Sequence, residues 1–153
     1  MSDLRELYQE LILDHGRRPR NFGPMAGATH DAIGHNPLCG DKITVHVRVS
    51  GDVVDGISFE GQGCAISQAS ASLLTEAVKG RKLDYVMSLF RKVTALVTGR
   101  DADADLEGGV ELGKLAVFEG VRQYTMRVKC ATLAWHTLHN ALEGKAAQVA
   151  STE

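Results

Sequence analysis

The sequence predicts an α+β domain. Residues 43–49 alternate strictly between apolar and polar side chains and are followed by a turn and a second β-type run, the mark of a hairpin. Apolar residues at i, i+3 and i+4 before this hairpin, and in long stretches after it, mark helices. With 153 residues, 44% hydrophobic and 24% charged, the chain suits a single domain over 1–153. A chain of that size buries roughly two-thirds of the surface it would expose unfolded. No repeat, low-complexity run or linker divides it.

The first helix is expected over 3–15, where Leu4, Leu7, Tyr8, Leu11 and Ile12 share a face and Ser2 or Asp3 can cap the start. "GRRPRNFGP" breaks it with Gly16, Pro19, Gly23 and Pro24. Its three arginines read either as a solvated surface or as a docking patch. A short strand is expected at 27–35. In "ITVHVRV", Ile43, Val45, Val47 and Val49 face one way, and Thr44, His46 and Arg48 the other. "SGD" at 50–52 turns the chain into a return strand, 53–60. A three-residue turn pairs Val49 with Val53, Val45 with Ile57 and Ile43 with Phe59, which makes the apolar faces coincide. His46, on the polar face, reads as a solvent-facing strand residue rather than a ligand.

Residues 64–79, "CAISQASASLLTEAVK", predict a helix closed by Gly80, with Ala and Ser in its first turns permitting close packing. A second follows at 82–97, with Leu83, Val86, Met87, Phe90, Val93 and Val97 on one stripe. The acidic stretch 99–109 reads as a solvated loop. Its alternating Asp101, Asp103 and Asp105 fail the EF-hand pattern, because Leu106 stands at the glycine position and Leu112 at the final glutamate position. A short helix at 110–119 precedes the last, at 125–143, which carries Cys130, Leu133, Ala134, Thr137, Leu138, Ala141 and Leu142 on one broad face. The tail from Gly144 is expected to fray.

A formal net charge of −2 gives no bulk electrostatic case for nucleic acid. No apolar run approaches the ~20 residues of a membrane span. The charged start, "MSDLRELYQE", is not a signal peptide, so a cytoplasmic location is expected.

Three cysteines, Cys39, Cys64 and Cys130, an odd count, widely spread and without a secretory signal, argue against a disulfide framework. Three buried thiols acting as small hydrophobes is the plain reading. The hairpin argues for more. Continuing its expected pairing sets Cys39 opposite Gly63, so Cys39, Asp41 and Cys64 gather at its open end. "GQGC" supplies two glycines where a backbone must turn or approach closely, and Cys64 opens a helix whose positive end favours thiolate. Cys130 cannot be placed by local pairing. Three thiolates and a carboxylate make a tetrahedral set for zinc or a metal–sulfur species. Spacing alone leaves the metal site and the three inert thiols both open.

The segments "YQELILDHGRRPRNFG", "HNPLCGDKI", "FEGQGCAISQASASLLTE" and "VKCATLAWHTL" resemble the U-type iron–sulfur cluster assembly proteins, specifically the SufU branch, over nearly the whole chain. The sibling IscU branch has a histidine just before its last cysteine and a proline-rich chaperone motif nearby. Here Lys129 precedes Cys130, and "VRQYTMRVKC" has no such motif. The extra segment around 99–113 also looks like the SufU branch.

The resemblance implies a compact α+β fold, an antiparallel sheet of about three strands packed on helices, with a metal site at one end. It implies that Cys39, Asp41, Cys64 and Cys130 hold zinc, and that persulfide sulfur comes from a pyridoxal-phosphate cysteine desulfurase of the SufS type. The sulfur passes toward SufBCD-type machinery, with Cys39 as the acceptor. Gly40 would let Cys39 swing out, and Asp41 would tune an otherwise soft site. Whether Arg127 and Lys129 offset the charge of the site stays open. The alternative is a scaffold on which an iron–sulfur cluster is built and then transferred. A purely structural zinc site is disfavoured by the carboxylate.

Overall fold

A computed structural model of the chain describes residues 2–37, 40–98, 115, 118 and 124–143. The elements run α1 (Ser2–Arg17), β1 (His30–Asn36), β2 (Asp41–Ser50), β3 (Val53–Gln62), α2 (Ala65–Val78), α3 (Leu83–Thr98) and α4 (Thr125–Leu142). The strands form one antiparallel sheet in the order β1-β2-β3. The α+β expectation therefore holds, with each expected element that falls within the described residues shifted by at most a few residues. The acidic stretch 99–109, the short helix at 110–119 apart from Leu115 and Phe118, and the tail from Gly144 lie outside the described residues.

The hairpin register differs from the expected one by two residues. Val45 lies opposite Phe59 rather than Ile57, and Val47 opposite Ile57. Two local features each contribute one residue. Ser50 pairs with Val53, so the loop is the two residues Gly51 and Asp52, not three. Gly51 has φ 64°, as a tight II′-type hairpin loop demands of its first residue. A bulge then follows, because Arg48 pairs with Gly56 but Val49 with Val54, leaving Asp55 extra. A shift of two preserves the pleat, so the expected inner face is correct: Ile43, Val45, Val47, Ile57 and Phe59 are all buried.

β1 starts later than expected because Gly27, with φ 82°, turns the chain before it. The "RRPRNFGP" stretch does more than break α1. The Gly23 amide donates to Phe59 O (2.8 Å) and the Phe59 amide to Asn21 O (3.1 Å), so this segment covers the free edge of β3.

α4 packs on β1 and β2, and α2 packs on β3, α4 and α1. Ala69, Ser70, Ala71 and Ser72 of α2 are all buried, so its small side chains do admit close neighbours. β1 yields to α4 in the same way. A Cβ on Gly34 would lie 2.0 Å from Thr137 Oγ1. Trp135, Phe59, Phe118, Leu74 and Leu133 fill the space between sheet and helices. Such side chains each contribute roughly 1.5–3 kcal/mol on burial. Among the described residues, no helix is long and apolar enough to cross a membrane.

Candidate metal centre

Asp41 is the first residue of β2 and is fully buried. Cys64 is the N-cap of α2, exposed at its tip. Cys130 lies in the second turn of α4, buried. One ligand atom from each of these three residues lies within 4.8 Å of the others. Thus a strand and two helices, distant in sequence, present two sulfurs and a carboxylate to one point.

The glycines of "GQG" make this approach possible. A Cβ on Gly61, where φ is 137°, would lie 2.0 Å from Lys42 O. One on Gly63 would lie 2.6 Å from Asp41 Oδ1. In the observed register, Asp41 and not Cys39 falls opposite Gly63. Cys39 belongs to the stretch joining β1 to β2 and lies outside the described residues.

Three hydrogen bonds clamp the donor-bearing elements together. The Cys64 amide donates to Asp41 Oδ1 at 2.9 Å, tying α2 to β2. Asn36, buried and paired with Asp41 across the sheet, donates from Nδ2 to Lys129 O at 3.2 Å, tying β1 to α4. Ser70 Oγ donates to Ala131 O at 2.5 Å, tying α2 to α4. The last two bracket Cys130, one on each side along the helix. Asn36 and Ser70 carry no sequence signal of their own, since Asn beside Pro reads as a turn residue and Ser within an Ala/Ser run reads as packing.

The two sulfurs differ electrostatically. The hydrogen bond with Cys130 lowers the Cys64 thiol to about 7, against the opposing pull of partial burial, with further help from the amides of Ser67 and Ile66. The Ser67 amide donates to Cys64 Sγ at 3.4 Å, as expected for a thiolate at a helix N-terminus. The same bond from Cys64, then burial, then Asp41 hold the Cys130 thiol far above the ordinary range. Of the two, Cys64 gives up its proton the more readily, and binding of a divalent cation favours the loss of both.

The residues fit a cation. Asp41 Oδ2 is buried without a hydrogen-bond partner. A buried carboxylate oxygen left so is costly unless a charge meets it. Two thiolates and one carboxylate oxygen, with one further donor, are a tetrahedral zinc set.

The other residues considered in the sequence fall elsewhere. The Arg127 guanidinium lies 4.6 Å above the Tyr124 ring, and Lys129 gives its carbonyl to Asn36. His46 is on the polar face as expected but is not simply solvated. Its Nε2 lies 2.8 Å from Glu60 Oε2 and its Nδ1 3.8 Å from Asp31 Oδ2, so carboxylates of both neighbouring strands hold it.

Residues 7–148 match the family described as NifU-like N terminal domain. The chain is 35% identical over 144 residues to the zinc-dependent sulfurtransferase SufU of Bacillus subtilis, covering 92% of each chain. It is 38% identical over 137 residues to the iron–sulfur cluster assembly scaffold protein IscU of Thermotoga maritima, covering 90% of this chain and 93% of that one. Among solved structures, a putative iron–sulfur cluster assembly scaffold protein for the SUF system from Fervidobacterium islandicum superposes with a TM-score of 0.77 at 32% identity, over 90% of this chain and 98% of that one. The N-terminal part of a NifU-like protein from Brucella abortus shares the fold, with a TM-score of 0.77 at 23% identity over 95% of this chain and 99% of that one.

Proposed function

The chain belongs to the family of NifU-like N-terminal domains, and from that premise we propose that it serves iron–sulfur cluster assembly as a zinc-dependent sulfur acceptor, with Cys39 taking the sulfur. The observation that carries this reading is the convergence of Asp41, Cys64 and Cys130 on one point. Cys39, two residues before Asp41 in the sequence, is the fourth donor of the set. A SufS-type cysteine desulfurase supplies the sulfur, and SufBCD-type machinery receives it.

Bound zinc would keep thiolates deprotonated at neutral pH without redox chemistry of its own. The chain's residues divide the remaining work. Asp41 is fixed through Oδ1 by the Cys64 amide and offers Oδ2. Cys130 is buried in α4 and cannot meet a partner protein without disturbing a packed helix. Cys64 caps α2, and its displacement would unpair that helix's first turn. Cys39 precedes Gly40, whose φ of 71° is one that glycine adopts at little cost, so reorientation there is least costly. Its thiolate attacks the outer sulfur of the desulfurase persulfide. A new S–S bond forms on Cys39, the old one breaks, and the desulfurase cysteine leaves as thiolate. No electrons are gained or lost overall.

A cluster scaffold uses the same donors, and the 38% identity to a protein of that name makes it the competing reading. Incubation with a cysteine desulfurase and cysteine, alkylation, and peptide mapping separate the two. The acceptor reading expects persulfide on Cys39. Label chiefly on Cys64 or Cys130, or full transfer to a Cys39→Ser variant, refutes it.

A further inference from the structure

Ser67 lies on the first turn of α2, three residues after Cys64, and is fully buried. Its amide is engaged by Cys64 Sγ. Its hydroxyl has no hydrogen-bond partner. A buried, unpaired hydroxyl is a cost that alanine would avoid, and α2 has alanine at two other buried positions, Ala69 and Ala71.

The surroundings of Gly63 show where that hydroxyl faces. A Cβ on Gly63 would lie 3.2 Å from Ser67 Oγ and 2.6 Å from Asp41 Oδ1. Both oxygens thus lie close to the same point beside Gly63. Asp41 Oδ1 already accepts the Cys64 amide, and Oδ2 is unpartnered.

We propose that Ser67 is a positioning residue of the metal centre: its hydroxyl donates to Asp41 Oδ1, beside the Cys64 amide, and leaves Oδ2 as the single oxygen presented to the cation. The inference rests on the metal-binding reading above. The bond would close with a cation held by Oδ2 and the sulfurs. With two donors on Oδ1, the carboxylate cannot turn to bind through both oxygens, and its orientation is fixed before any ligand exchange. Hydrogen bonds to ligating carboxylates act in this way in metal sites generally.

The test is zinc release from the full chain to a colorimetric chelator, for the parent, Ser67→Ala, Asp41→Ala and the double variant. Visible spectra of the cobalt-substituted proteins report ligand geometry alongside. Ser67→Ala is expected to release zinc about tenfold faster, to shift the cobalt bands, and to add nothing in the Asp41→Ala background. Zinc-stripped Ser67→Ala should melt at or above the stripped parent, since it loses only an unpaired hydroxyl. A parental release rate in Ser67→Ala, while the parent holds zinc tightly, overturns the proposal. So does an equal acceleration in the Asp41→Ala background, or a lower melting temperature of the stripped variant, which would make Ser67 merely structural. A parent that retains no zinc overturns both this inference and the function it rests on.

Discussion

Two polar junctions of helix α2 contrast. Halfway along, Ser72 and Thr75 face the end of α1 and the chain that follows it. Ser72 Oγ lies 2.7 Å from His15 Nδ1 and accepts the Arg20 amide at 2.8 Å, while Thr75 Oγ1 accepts Asn21 Nδ2 at 2.9 Å and donates to Ser72 O at 2.7 Å. At the N-terminal end, Cys64 and Ser67 face Asp41 and Cys130. There Asp41 Oδ2 and Ser67 Oγ are buried without partners. The first junction is closed and holds the fold together. The second is open toward a point where two sulfurs also converge, the arrangement that carries the metal-binding reading. Lack of a partner is not by itself the mark of a site, since Ser58 Oγ and Trp135 Nε1 lack one as well. What distinguishes the N-terminal end is the gathering of orphaned oxygen and two cysteine sulfurs together.

Four experiments press on that contrast. Zinc removal by a strong chelator should have the largest effect. A cation present at a thousandfold its dissociation constant stabilises the folded state by about 4 kcal/mol. For a chain of this size that corresponds to a fall in melting temperature of roughly 10 °C. An unchanged melting temperature after verified removal would show that the open junction carries no load on the fold.

Asp41→Ala should come next, and should act on the site rather than the fold. Removing the carboxylate opens a coordination position to water, so zinc should dissociate at least about tenfold faster. A parental dissociation rate would mean that Asp41 is not a ligand. Ser72→Ala should do the reverse. It removes the acceptor of the Arg20 amide and the partner of His15, which costs about 1–3 kcal/mol. Its melting temperature should fall by several degrees while zinc dissociation stays parental. Faster zinc loss from this variant would show that the two junctions are not separate.

The smallest effect concerns reactivity. In zinc-stripped protein, Cys64, lowered to about 7, should alkylate at pH 7 roughly ten times faster than an ordinary thiol near 8.5. The rate should fall as pH drops below 7, because the thiolate is then protonated. Cys130, whose thiol is held high, should stay unmodified at neutral pH. Equal labelling of both, read by mass spectrometry, would contradict this difference between the two sulfurs.

Much of this was legible in the sequence, for physical reasons that also mark its limits. Strict alternation fixed which face of β2 is buried, because the pleat has period two and the faces survive any even shift. It could not fix the register. That depended on a two-residue loop at Gly51 and a bulge at Asp55, which preserve the apolar match equally well. The juxtaposition of Asp41 with Cys64 followed from a hairpin, which is local. The arrival of Cys130 depends on how α4 lies across β1 and β2, which is tertiary packing, made possible in part by the missing side chain of Gly34. Asn36, Ser67 and Ser70 were invisible as site residues. Their types are common in turns and small-residue helices, and only the carbonyls and carboxylate brought to them from distant elements give them a role.

The central claim is that the open end of α2 is completed by one zinc. Metal analysis of the purified full chain, with the Cys64→Ser and Cys130→Ser variants beside it, tests this most directly. The account predicts colourless protein with one tightly held zinc per chain, sharply reduced in each variant. Brown protein carrying stoichiometric iron and sulfide, or zinc content indifferent to both cysteines, would contradict it.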